Sequence, residues 1–177
     1  MDQHSGGGRR MTADDIEAGR LTLTPLSVED ADDMVGVLAG DGLYAFIGGE
    51  PPDLDSLRAR YARLAAGHSP DGRQDWLNWI LRLRPDGRAV GTVQATVTGG
   101  GARAEIAWVV GTAWQGRGYA SEAAEALAGW LRGRGVGLLQ AHIRPDHEAS
   151  MKVAARVGLR PTDLVEDGER LWVWERV

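Results

Sequence analysis

One stretch limits the possible folds more than any other: Val109-Val110-Gly111-Thr112-Ala113-Trp114-Gln115-Gly116-Arg117-Gly118-Tyr119-Ala120. An apolar strand runs into a glycine-bearing turn, and the turn opens into a helix. In that helix Ala120, Ala123, Ala124, Leu127, Trp130 and Leu131 recur on one face. Gly133 and Gly135 stop it, and Val136 to Ile143 reads as the next strand. A strand, a helix and a strand in this order form a crossover, so 136–143 is expected to run parallel to 103–110. The turn is also a natural seat for an anion. Glycines at 116 and 118 remove side chains that would hold a ligand off the backbone. The first N–H groups of the helix have no intrahelical partners and sit at the positive end of its dipole. Two common phosphate-binding patterns do not fit. GRGYAS has Ser121 where a GxGxxG loop has its third glycine, and the Lys-Ser/Thr of a P-loop is missing. The turn does contain Gln-x-x-Gly-x-Ala, at Gln115, Gly118 and Ala120. A glycine-rich connector with no ligand is the plain alternative.

The remaining elements can be read in order. Residues 1–18 carry a glycine run and no hydrophobic period, and are expected to be a flexible leader before a domain over 19–177. Leu21 to Leu26 alternates as a strand. Ser27, with Asp30 in a capping-box position, opens a helix whose inner face holds Val28, Met34, Val35 and Leu38. Asp53 caps a second helix, with Leu54, Leu57, Tyr61 and Leu64 at helical spacing. Three strands follow as a meander: Trp76–Arg84, Ala89–Val97 and Arg103–Val110. In the first of them Trp76, Asn78, Ile80 and Arg82 share one face, and Leu77, Trp79, Leu81 and Leu83 the other. Pro145-Asp146 starts a last helix ending at Gly158, and 159–177 gives a hairpin.

Composition removes several function classes. At 177 residues the chain suits one domain. It has no cysteine, so disulfides, thiolate metal sites and a cysteine nucleophile are excluded, and no metal site is expected. A net charge of -5 argues against non-specific nucleic-acid binding. No apolar run approaches a membrane span and no secretory leader is visible, so a cytoplasmic location is expected and a membrane partner is not. Between Met11 and Asp55 acids far outnumber the single base, Arg20. Such a region either attracts a cationic amine or is a solvated surface.

The Gln115-x-x-Gly118-x-Ala120 pattern, preceded by Glu105-Ile106-Ala107-Trp108-Val109-Val110, resembles motif A of the GNAT superfamily of N-acetyltransferases, in its RimJ/RimL-like branch. The resemblance runs from about Leu21 to Val177. It implies an α/β fold of one domain: a mixed, mostly antiparallel sheet of six to seven strands flanked by four helices, with a splayed parallel strand pair at the cofactor cleft. It also implies acetyl-CoA as co-substrate. The pantetheine arm would lie along Trp108, Val109 and Val110, and the diphosphate on Gln115, Gly116, Arg117, Gly118, Tyr119, Ala120 and Ser121. Arg117 either adds charge there or faces solvent.

Further roles follow from the same resemblance. The family's Asn-x-x-Ser pattern appears here as His147-Glu148-Ala149-Ser150, with His147 in place of asparagine. His147 is a cofactor contact or a capping residue, and unlike asparagine it can titrate near neutral pH. Glu105 stands where some members carry the glutamate that activates the amine; otherwise it is a strand carboxylate facing solvent. No tyrosine follows Tyr119, so stabilising the departing thiolate falls to Ser150 or water; Ser150 is otherwise a helix-start residue. Tyr44, Phe46 and Glu50 are candidate acceptor contacts, with core packing the alternative for the two aromatics. Asn78 is a further candidate. The implied function is direct transfer of an acetyl group to a primary amine, either a protein N-terminus or a small amine. A non-catalytic acyl-CoA-binding or sensing module of the same fold is the alternative. A homodimer is one assembly the resemblance allows, with Trp172 and Trp174 as candidate contacts.

Overall fold

The computed structural model describes residues 10–177, and their strands form one sheet in the order β1-β2-β3-β4-β5-β6-β8-β7. β1 (Ile16–Ala18), β2 (Leu21–Pro25), β3 (Asp75–Leu83), β4 (Ala89–Thr98) and β5 (Arg103–Val110) run as antiparallel neighbours. α1 (Asp30–Val37), α2 (Asp41–Ile47) and α3 (Leu54–Ala65) lie between β2 and β3. After β5 the chain crosses through α4 (Tyr119–Gly133) to β6 (Leu138–Ile143), which is parallel to β5 as expected. α5 (Glu148–Val157) follows, and the hairpin of β7 (Arg160–Glu166) and β8 (Glu169–Glu175) inserts β8 beside β6.

The two-sided apolar pattern of β3 has a simple cause: both faces of this strand are covered. Leu77, Trp79 and Leu81 pack with Leu21, Leu23 and Ile106 under the Ala123, Ala124, Leu127 and Leu131 stripe of α4. Ile80 points the other way, into a second cluster with Ala31, Met34, Leu57 and Tyr61 of α1 and α3. Asp53 caps α3 as read, its carboxylate accepting from Ser56 N at 2.7 Å.

Several expectations need correction. The sheet has eight strands rather than six or seven, and the described residues hold five helices rather than four. The additional helix is α2, a short element between glycines at 40 and 48 that carries too few turns to show a period. The additional strand is β1, inside the segment read as a leader. It pairs with β2, while Met11 N donates to Asp75 Oδ2 at 2.9 Å and Trp79 Nε1 donates to the Asp14 carbonyl at 2.7 Å. Residues 1–9 of that leader lie outside the described residues. The opening of α1 also differs. Asp30 accepts from Ser27 N and Oγ at 2.8 and 3.2 Å, so the acid's half of the capping box forms, but the helix itself begins at Asp30. β6 starts at Leu138 because Val136 N is spent on Leu131 O at the end of α4. Likewise α5 starts at Glu148, since the Asp146 carboxylate is held by Arg144 and caps nothing. Trp172 is buried and Trp174 partly so, which removes them as an exposed pair for a dimer contact.

Candidate functional site

β5 and β6 pair only through Arg103↔Leu138, Ala104↔Leu139 and Glu105↔Gln140. β5 continues five residues and β6 three beyond that last rung, Ile106–Val110 and Ala141–Ile143, without meeting. This divergence opens a cavity of about 730 Å³ between the end of β5, α2 and the starts of α4 and α5. Backbone N–H and C=O groups along the separated strand edges have no partner across the gap, which is where an extended polar ligand can pair with them.

The floor of the cavity is the turn into α4. Gly116 has φ 75° and Gly118, the N-cap of α4, has φ 84°, both in the left-handed region that glycine alone enters at little cost. A side chain built on Gly116 would meet nothing, so the backbone there is open to a ligand. Gly116, Gly118, Tyr119, Ala120 and Ser121 all line the cavity. The orphan amides of the first turn of α4 thus face it at the positive end of a 15-residue helix. Gln115 also lies on the wall, but its Nε2 donates to Val110 O at 3.0 Å and ties the turn back to the strand.

Arg20, which sequence reasoning did not single out for a role, holds this turn from outside. Its Nη2 donates to Arg117 O at 2.8 Å and its Nε to Glu122 Oε2 at 3.2 Å, while its backbone N–H donates to Glu122 Oε1 at 3.0 Å. The guanidinium stacks 4.5 Å above the Tyr119 ring. The one signal for it was its isolation as the single base in an acidic region. Lys152 was missed as well, although it is the only lysine in the chain; it lines the cavity with Trp114 and Asp146.

The opposite wall is built from side chains. Phe46 of α2 stacks on His147 with ring centroids 4.1 Å apart and planes at 13°. Burial holds the His147 imidazole below its ordinary value of 6.5, with Asp146 opposing and Arg144 reinforcing that shift, so the ring is neutral at pH 7. Ser150 Oγ lies 3.4 Å from His147 Nε2. Trp108, Val109 and Val110 complete this part of the cavity.

Five predicted residues lie elsewhere. Arg117 is exposed outside the cavity wall. The Tyr44 hydroxyl donates to Leu38 O at 2.8 Å and its ring packs on the α1–α3 cluster, with burial pushing the phenol pKa up. Glu50 is exposed beyond α2, and Asn78 sits half-buried on β3 opposite Gln94. Glu105 is on the last paired rung of β5, where it accepts from Gln140 Nε2 at 3.2 Å and faces His142 Nδ1 at 3.0 Å. No group of three or more His, Asp or Glu able to hold a metal occurs among the described residues. No helix among them is long and apolar enough to cross a membrane.

Comparison with known proteins agrees with this architecture. A family model described as an acetyltransferase (GNAT) domain matches residues 20–160. No curated protein sequence matches the chain. Among solved structures, a GNAT-family acetyltransferase from Bacillus anthracis superposes with a TM-score of 0.75 at 19% identity, over 92% of this chain and 98% of that one. RimL, a ribosomal L7/L12 α-N-protein acetyltransferase in complex with coenzyme A, gives 0.77 at 14% identity, over 92% and 98%. The aminoglycoside acetyltransferase AAC(6')-Ib, in complex with paromomycin and acetyl-CoA, gives 0.72 at 20% identity, over 88% and 93%.

Proposed function

Because the chain belongs to the GNAT acetyltransferase family, we propose that it moves the acetyl group of acetyl-CoA directly to a primary amine, a protein N-terminus or a small amine. One observation carries this reading. The edge of β5 beyond its last pairing with β6 and the open amides of α4 converge on a single cavity. An extended amide-bearing arm ending in a diphosphate fits that combination, and solved structures of the same fold hold coenzyme A or acetyl-CoA.

In this reading the amides of Gly116 to Ser121 bind the diphosphate, with Lys152 at the rim as added positive charge. The edges of Trp108, Val109 and Val110 pair with the arm. Neutral His147 offers a hydrogen bond beside it, and the Ser150 hydroxyl stabilises the sulfur as it leaves. Acetyl-CoA supplies an activated acyl thioester. With no cysteine in the chain an acyl-cysteine route is closed, so the amine attacks the thioester itself. Glu105, at the point where the strands part, belongs to the set of side chains that would take up the amine's proton. Phe46 sits on the α2 side of the cavity, where the acceptor would enter.

The test is thiol release from acetyl-CoA with a panel of peptide N-termini and small amines, alongside calorimetry for coenzyme A. Turnover with at least one amine is expected. Binding of coenzyme A with no turnover on any acceptor makes the protein a binding module instead. No binding at all removes both readings.

A further inference from the structure

We propose that the proton taken from the acceptor amine goes to His142, and that Glu105 is the residue that positions it. This rests on the acetyltransferase reading of the cleft. Glu105 and Gln140 form the last rung shared by β5 and β6. His142, two residues further along β6 on the same strand face as Gln140, is therefore the first side chain of β6 on that face beyond the last rung. It lies opposite the face that buries Leu139, Ala141 and Ile143, and 20% of its side chain is exposed, so water reaches it.

The hydrogen bonds distinguish the roles of the two groups. Both Glu105 oxygens already accept: Oε2 from Gln140 Nε2 at 3.2 Å, and Oε1 from His142 Nδ1 at 3.0 Å. A carboxylate only accepts, so Nδ1 carries the proton and the lone pair of the neutral ring is on Nε2. Nε2 is 3.8 Å from Glu166 Oε2, beyond hydrogen-bond reach. The lone pair is thus available, while a second carboxylate stands ready to stabilise the imidazolium. The other charges nearby are accounted for. Arg144, next along β6, is held by Asp146 and Ala45 O, with Glu169 of β8 close to it. Arg103 precedes Glu105 on β5 and is exposed.

The step balances. A proton leaves the acceptor ammonium through water to His142 Nε2. The freed amine attacks the thioester carbonyl carbon, a C–N bond forms as the C–S bond breaks, and the sulfur departs as a thiol with the second proton shed by nitrogen. The imidazolium then returns its proton to solvent.

The experiment uses the full chain with acetyl-CoA and its best amine, comparing the parent with His142→Gln and Glu105→Gln across pH. His142→Gln is expected to lower kcat by about 100-fold with the KM for acetyl-CoA unchanged, and to abolish the acidic limb of kcat/KM. Glu105→Gln is expected to lower kcat less and to raise the share of neutral His142 protonated at Nε2 in long-range ¹H–¹⁵N spectra, because the Nδ1–H group loses its carboxylate acceptor. Long-range ¹H–¹⁵N spectra of the parent should show neutral His142 protonated at Nδ1. If His142→Gln keeps the parent's kcat and limb, or the spectra show the proton on Nε2, the proposal is overturned. In the first case a loss confined to Glu105→Gln leaves Glu105 as the base and the acetyltransferase reading intact. A parent that releases no thiol with any amine ends that reading and this one together.

Discussion

The turn between β5 and α4 presents main-chain amides from one short stretch of sequence, Gly116 and Gly118 to Ser121, whereas the facing side of the cleft draws side chains from elements far apart in the sequence: Phe46 from α2, Trp108 from β5, and His147 and Ser150 from the start of α5. A ligand bound by backbone N–H groups needs only that the chain adopt one local conformation there. A ligand bound by side chains needs the whole sheet to bring them together. The first half is therefore sensitive to backbone strain and the second to side-chain chemistry.

The comparison breaks most directly at Gly118. A β-branched residue at φ 84° costs about 1–2 kcal/mol in left-handed strain, and its Cβ would stand 3.4 Å from Arg20 Nη2. Gly118→Val is expected to weaken coenzyme A binding by more than about 100-fold by calorimetry, a loss of roughly 3 kcal/mol in binding. Retained affinity would show that the turn is not the seat. Arg20→Ala comes next. It removes the external brace on the Arg117 carbonyl and the cover on Tyr119, so the amides lose their fixed aim. A rise of about tenfold in the KM for acetyl-CoA, or about 1.4 kcal/mol, with kcat within about twofold is expected in steady-state kinetics; a fall in kcat alone would place Arg20 in the chemistry instead.

The smallest effect sharpens the side-chain half. His147 has its folded-state pKa held below 6.5 by burial, so the fold favours the neutral ring. That contribution is fully present above pH 6.5 and is lost as pH falls through the lowered folded value. In urea unfolding at pH 7.5 and 5.5 the parent should therefore lose more stability than His147→Asn, whose side chain does not titrate. The effect is small because the ring remains partly exposed. Equal losses in the two proteins would show that the Phe46 stack does not depend on the neutral form.

Legibility in the sequence followed the same division. β5 was read to the residue, Arg103–Val110, because strand alternation and flanking glycines act within a short window. The stripe of α4, the Asp53 cap and the parallel β6 were legible for the same reason. β1 was not, since three residues in a polar stretch carry no period and are strand only because β2 offers an edge. α2 was missed because a single short helix between glycines has no amphipathic repeat. Tyr44 and Phe46, two residues apart, show the limit for sites: one lies in the α1–α3 core and the other over His147, and nothing in their local sequence distinguishes them.

The order of elements, the glycine turn and the absence of cysteine were determined by the sequence alone, because each depends on local backbone preference or on composition. The tertiary structure alone decided that β5 and β6 separate after Glu105, that Arg20 braces a turn about a hundred residues away in sequence, and that a histidine stands between two carboxylates at the opening. Those features arise from side chains whose meeting is set by sheet register and helix packing, and no spacing along the chain encodes a distance across it.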